Sequence, residues 1–251
     1  MTAQDGIRTI NKPRGVSSHD VVNAVRRISG ERRVGHAGTL DPLATGVLIV
    51  LVGKDATRRQ SEFMGFPKVY EAEITFGTTS ATEDAEGPFT KSATFEQLHT
   101  LTEEQVRNVL PQFVGTITQQ PPAHSAIKVG GEALYKKARR GEITSADTAM
   151  RTVTIDAIEL IRFIPYTPPF PPTVRIRVHC QKGVYIRSLA RDIGAAVGVG
   201  AYMSDLVRTA VGPYTVEQAE TLPESAMTKR RYTSAETQSP DHNNATNSLQ
   251  P

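Results

Sequence analysis

A chain of 251 residues has material for one large domain, or two modest ones, with a buried core. Its single cysteine, Cys180, excludes an intramolecular disulfide and a cysteine zinc cluster. No apolar window approaches the length of a membrane span, so a reducing, cytoplasmic setting is expected. The net charge is only +3, but it is uneven: the first sixty residues hold ten basic and five acidic side chains, and Lys136, Lys137, Arg139 and Arg140 form a second basic cluster. Local excess of this kind suits a polyanion, because phosphate contacts release counterions, although a solvated surface explains it equally well.

In chain order, residues 7–13 read as a strand entering a loop. Ser17 or Ser18 offers an N-cap to a helix with Val21, Val22, Val25 and Ile28 at helical spacing, and Gly30 closes it. Residues 31–46, rich in Gly and polar groups, read as a long loop. VLIVLVG at 47–53 reads as a strand buried on both faces. KVYEAEITF at 68–76 alternates, with Tyr70, Ala72, Ile74 and Phe76 on one face and Glu71 and Glu73 on the other. A polar loop follows. Thr102 and Gln105 form a capping box ahead of a stripe of Val106, Val109, Leu110 and Phe113. Residues 119–146 mix Pro, Gly and basic residues and read as an excursion from the core. Strands are predicted over 151–164 and 173–180, separated by the proline-rich PYTPPFPP. A helix over 184–198 turns Ile186, Leu189, Ala190, Ile193 and Val197 inward, and a last strand falls within 206–216. From about 228 the composition is polar and of the disordered type. Strands and helices interleave without strict alternation, which favours an α+β fold: a mixed sheet with helices packed on it.

The chemistry-bearing segment is GHAGTLDPLATG at 35–46. A lone Asp before Pro in a glycine-rich loop is ordinarily a turn residue. Here the loop is long, is flanked by patterned elements and also carries His36, and loops on rigid scaffolds are where catalytic groups sit. No metal-ligand motif, P-loop or dinucleotide fingerprint accompanies it. A catalytic Asp41 would therefore act without cofactor or metal, as nucleophile or as acid/base.

Five segments in order, INKPRGVSSHDVV (10–22), GHAGTLDPLATGVL (35–48), KVYEAEITFG with EDAEG (68–87), QQPPAHSAIKVGGEALYKKARRGE (119–142) and QKGVYIRSLARDIG (181–194), resemble the bacterial tRNA pseudouridine-55 synthase (TruB) family. The resemblance covers residues 7 to 217. It implies a largely antiparallel mixed sheet flanked by helices, with a cleft lined by the 35–46 loop. It also implies a catalytic domain over 1–217, with residues 119–146 as an inserted RNA-gripping "thumb". By position, Asp41 matches the family's nucleophile. Tyr70 matches the tyrosine that stacks on the target base, and Arg187 the arginine paired with the nucleophile. Tyr185 and Leu206 match residues lining the uracil pocket, and His36 the histidine that holds the flipped RNA loop. Taken singly, each has a bland alternative: strand aromatic, helix cap, core leucine, surface arginine.

The implied activity is isomerisation of uridine 55 in the T-loop of tRNA, with no cofactor, no obligatory protein partner and a monomeric state. The base must leave the RNA stack to be reached. A buried carboxylate needs a neighbouring Arg to stay charged. The thumb cluster Lys136, Lys137, Arg139 and Arg140 would grip phosphates, and Arg26, Arg27, Arg32 and Arg33 would hold a stem. The sequence leaves open whether Asp41 attacks C6 of the ring or C1′ of the sugar. Only about 35 residues follow Val216, so the C-terminal segment 218–251 is expected to be a short tail without the complete accessory RNA-binding domain of many family members. A guide-RNA-dependent synthase of the dyskerin type, a tRNA-folding chaperone without chemistry and a nucleoside hydrolase are the competing readings. The first carries that accessory domain and needs partners, the second needs no paired nucleophile, and the third explains neither the thumb nor the motif order.

Overall fold

The computed structural model describes residues 6–125, 128–142 and 148–227. The predicted disorder from 228 lies outside them, as do the side chains of Lys136 and Arg139. The elements run β1 (Ile7–Lys12), α1 (Ser18–Ser29), β2 (Val34–Ala37), β3 (Thr45–Val52), α2 (Lys54–Arg58), α3 (Gln60–Gly65), β4 (Lys68–Phe76), β5 (Thr78–Ser80), β6 (Phe89–Lys91), α4 (Phe95–His99), α5 (Glu103–Val109), β7 (Gly115–Gln119), β8 (Lys128–Val129), β9 (Glu132–Ala133), α6 (Leu134–Arg139), β10 (Arg151–Ile164), β11 (Thr173–Cys180), α7 (Ile186–Val197), β12 (Ala201–Val211), β13 (Tyr214–Thr215) and α8 (Glu224–Met227).

The main sheet has the order β1-β3-β12-β4-β11-β10-β7, with β2 added to β3 and β13 to β12. Among its pairings only β3 with β12 is parallel. The fold is therefore α+β on a mixed, largely antiparallel sheet. Alternation in β4 and β11 sends Tyr70, Ala72, Ile74, Phe76, Val174, Ile176 and Val178 into the principal core, where α5 and α7 cover them. Each large aliphatic side chain removed from water there contributes about 1.5–3 kcal/mol. β3 is buried on both faces: Leu48 and Val50 pack with α1, while Val47, Ile49 and Leu51 pack with Phe63 of α3.

Ser17 caps α1 in a reciprocal box with Asp20, and Gly30 closes the helix in the left-handed region at φ 69°. Ile28, expected on the inward stripe, is instead exposed in the last turn, and Ala24 takes the buried place. Two stretches predicted as loops contain short strands. β2 lies within 31–46 and pairs with β3, and the polar stretch after β4 contributes β5 to a small hairpin with β6. Strands of three or four residues carry too little side-chain alternation to stand out from a loop; pairing with a neighbour creates them. Beyond residue 217, Glu220 accepts from the Asn11 amide and Leu222 joins the α1 core, so the packed body continues to α8.

Candidate active site

One cleft of about 910 Å³ opens beside the β4–β12 pair. Of the residues singled out in the sequence, Asp41, Tyr70, Tyr185, Arg187 and Leu206 all line it. They come from four different parts of the chain. Asp41 lies on the loop between β2 and β3, and Tyr70 is the third residue of β4. Leu206 faces the cleft from β12, where it pairs with Ala72 of β4. Tyr185 is the N-cap position of α7, and Arg187 sits in that helix's first turn. Tyr185 places no side-chain oxygen on the helix; the amide side chain of buried Gln119 pairs with its backbone N–H and carbonyl at 3.1 and 3.3 Å.

Arg187 is buried and grips Asp41 with two nitrogens: Nε to Oδ2 at 3.0 Å and Nη2 to Oδ1 at 3.4 Å. Its remaining donors reach the carbonyls of Thr82 (3.0 Å) and His124 (2.9 Å), and Asp84 Oδ2 lies 3.5 Å from Nη1. Asp84 is itself buried and accepts from the Thr82 hydroxyl at 2.6 Å and the Glu86 amide at 3.0 Å. The guanidinium is thus orientated from every side, the condition for a bidentate fork.

Asp41 keeps a third of its side chain exposed toward the cleft. Desolvation nevertheless pushes its carboxyl above the ordinary value, and Asp84 adds to this, while Arg187, Lys12 and Arg208 oppose it. Burial raises Tyr70 and Tyr185 as well, so both phenols are neutral at pH 7.

Two buried cations that the sequence reading did not single out hold the Asp41 loop. Arg208, 1 % exposed, donates from Nε to Val47 O (2.7 Å), from Nη2 to Gly38 O (3.0 Å) and from Nη1 to Thr39 O (3.5 Å). It pairs with Tyr70 across the strands. Lys12, fully buried, donates to the carbonyls of Pro13 (2.9 Å), Val16 (2.8 Å) and Pro42 (3.3 Å), and desolvation lowers its pKa to about 8. Ser18 completes the cradle by exchanging hydrogen bonds with Leu40 N and O at 2.8 and 2.9 Å. Gly46, at φ 100°, lies so close to β12 that a Cβ there would sit 2.2 Å from Arg208 O. Nothing in the sequence of β12, AYMSDLVRTAV, sets Arg208 apart from a surface cation.

His36 does not line the cleft. It sits on β2 opposite Val50, with Nδ1 buried and without a partner, and burial together with Arg208 and His19 lowers its pKa. The thumb-like segment forms the β8–β9 hairpin and α6. Arg140 there is tied to Glu132 and Glu142 at 2.8 and 2.7 Å. In the N-terminal basic group, Arg26 donates to Asn23 and Val34 O, Arg27 to Ala226 O and Arg33 to Thr57. Among the described residues no group of His, Cys, Asp and Glu is placed to hold a metal ion, and no helix is long and apolar enough to cross a membrane.

The cleft of the mixed sheet thus brings a partly exposed, Arg-paired carboxylate together with two tyrosines and a leucine. Residues 26–186 match the TruB family pseudouridylate synthase N-terminal domain, and residues 187–241 match the tRNA pseudouridylate synthase B C-terminal domain. The chain belongs to the TruB family of pseudouridylate synthases. The boundary between the two matches falls within the first turn of α7, so both contribute to this site.

The tRNA pseudouridine synthase B of Thermobifida fusca is 47 % identical over 224 residues, covering 88 % of this chain and 74 % of that one. That of Geobacillus thermodenitrificans is 42 % identical over 224 residues, covering 88 % and 71 %. Among solved structures, a chain of a Cbf5-Nop10-Gar1 complex superposes with a TM-score of 0.64 at 32 % identity, over 87 % of this chain. The present chain spans about half of that one (53 %).

Proposed function

We propose that this chain is a tRNA pseudouridine synthase that isomerises uridine 55 in the T-loop of tRNA, with Asp41 as nucleophile. The observation that carries the reading is the two-nitrogen grip of Arg187 on a cleft-facing Asp41, in a chain 47 % identical to a tRNA pseudouridine synthase B. The uridine leaves the RNA stack and enters the cleft, where Tyr70 stacks on it and Leu206 and Tyr185 bound it. Arg187 opposes the desolvation that raises the Asp41 pKa. The N1–C1′ bond breaks, the base turns, C5 joins C1′, the C5 proton is lost and N1 ends protonated. Whether Asp41 attacks C6 of the ring or C1′ of the sugar, the bond it forms is broken again once C5 has joined C1′. Burial raises the Tyr70 pKa, and a neutral phenol suits stacking on the base.

Residues 1–217 are proposed as the catalytic domain and 119–146 as the RNA-gripping insertion, with Lys136, Lys137, Arg139 and Arg140 toward phosphates and His36 toward the flipped loop. The enzyme acts as a cytoplasmic monomer on the T-arm. Its chemistry calls for no cofactor, metal or obligatory protein partner.

The test is incubation with an unmodified tRNA transcript, with no metal or nucleotide added for chemistry, and mapping by carbodiimide primer extension. A T-loop stop that disappears in Asp41→Asn is expected. Tight tRNA binding without any stop sinks the stand-alone enzyme.

A further inference from the structure

Glu83 is the only non-glycine residue with positive φ among those described, at 63°. A left-handed backbone disfavours a residue with a Cβ, and such outliers persist only where their surroundings over-determine them. Here the surroundings are specific. Glu83 N donates to Ser80 O at 3.0 Å, and its carbonyl accepts from Met203 N of β12 at 3.1 Å. Its half-buried carboxylate reaches α7, where Oε2 accepts from the Ser188 hydroxyl at 3.0 Å and Oε1 pairs with Arg191. Ser188 directly follows Arg187, and Arg191 lies one turn further on. The residues on either side of Glu83 are the ones that touch Arg187: Thr82 through its carbonyl and Asp84 through its carboxylate.

We infer that Glu83 is a positioning residue for the reaction: by clamping its left-handed turn to Ser188 and Arg191, it fixes Thr82 and Asp84 against Arg187 and so orientates the guanidinium that holds Asp41. The kink turns three consecutive residues onto one face of α7. Thr82 and Asp84 meet Arg187, while Glu83 anchors the two flanking positions of the helix. Without the anchor the turn relaxes toward ordinary backbone, and both groups leave the plane of the guanidinium. The inference rests on the function proposed above and adds to it a residue that touches no substrate.

The experiment compares Glu83→Ala, Glu83→Gln and Glu83→Gly with the wild type by single-turnover pseudouridine formation across pH, tRNA affinity, thermal midpoint and the ¹³C carboxyl titration of Asp41. The charged groups facing Asp41 are Arg187 from α7, Asp84 from the turn, Lys12 from β1 and Arg208 from β12. Arg187 outweighs Asp84 among them, so loosening the turn raises the Asp41 pKa and moves the acid limb of the rate profile to higher pH. Glu83→Ala is expected to lower the rate at neutral pH about 10²-fold, the scale of an ångström-sized misplacement, with tRNA affinity within about twofold. Glu83→Gln, whose amide oxygen can accept from Arg191 while its NH2 donates to the Ser188 oxygen and that hydroxyl donates to Gln120 O, restores most of the rate. Glu83→Gly relieves the backbone and keeps the fold, yet loses the rate as Ala does.

Variants that lose thermal stability while the rate and the Asp41 titration stay at wild-type values overturn the positioning role and leave Glu83 merely structural. A wild-type protein that forms no pseudouridine overturns the functional reading itself; the Asp41 titration, needing no RNA, tests the positioning of Asp41 separately.

Discussion

Basic residues hold both the Asp41 loop and the β8–β9 hairpin with α6, by opposite means. At the loop, Lys12 and Arg208 are buried and spend their donors on backbone carbonyls of residues 13, 16, 38, 39, 42 and 47. At the hairpin, Arg140 forms an exposed cluster with Glu132 and Glu142. A buried cation that loses its partners is costly, and the carbonyls it leaves behind are orphaned too. An exposed ion pair contributes little, because solvent screens it and two flexible side chains must be ordered. The loop is thus held in place by the fold itself, as the role proposed for Asp41 requires. The hairpin's ion pairs are exposed and internal to it.

The largest effect expected from breaking the rigid side is catalytic. Asp41→Asn removes the proposed nucleophile and should lower single-turnover pseudouridine formation by roughly 10⁴-fold or more, as loss of a covalent nucleophile does elsewhere. tRNA affinity should stay within about twofold of wild type. Residual activity near the wild-type rate would remove Asp41 from the chemistry. Next is Arg187→Met, which leaves Asp84 and Asp41 without their cation and should cost about 3–5 kcal/mol of stability. Because Arg187 lowers the Asp41 pKa, the acid limb of the rate profile should move to higher pH in any variant that folds.

Third is Arg208→Lys, a change that keeps the charge but not the planar fork spanning three carbonyls. A loss of about 1–3 kcal/mol is expected from chemical denaturation, together with a lower rate, since Gly38 and Thr39 position the Asp41 loop. Wild-type stability in this variant would mean that the fork is dispensable.

The same contrast governs what could be read from the chain. α1 and α7, with their caps and stripes, and β3, β4, β10 and β11, with long apolar or alternating runs, announce themselves because burial imposes a period on the sequence. Asp41, Tyr70, Tyr185 and Arg187 were legible through the ordered motifs and Leu206 through its position in the wider resemblance, and the structure gathers them around one cleft. β2, β5 and β6 were not legible, because three or four residues display no period and pairing alone creates them. Arg208 and Lys12 were hidden for another reason. A charged side chain satisfied by carbonyls looks in sequence like any surface cation; only the fold shows that it is buried. Glu83 is plainer still, since nothing in TSATEDAEG announces a left-handed residue.

The smallest effect expected is at the hairpin. Arg140→Ala should leave the thermal midpoint unresolved from wild type, because exposed pairs are screened. If the hairpin trades its internal pairs for RNA, Arg140→Ala combined with Lys137→Ala should weaken tRNA binding a few-fold. The slope of log affinity against log salt should become shallower by about one for each phosphate contact removed. The single-turnover rate at saturating tRNA should be unchanged, since neither residue lines the cleft. An unchanged salt slope would mean that Arg140 stays with Glu132 and Glu142 in the complex. The pairs would then be a brace for the hairpin, and the phosphate contacts would have to come from elsewhere on the surface.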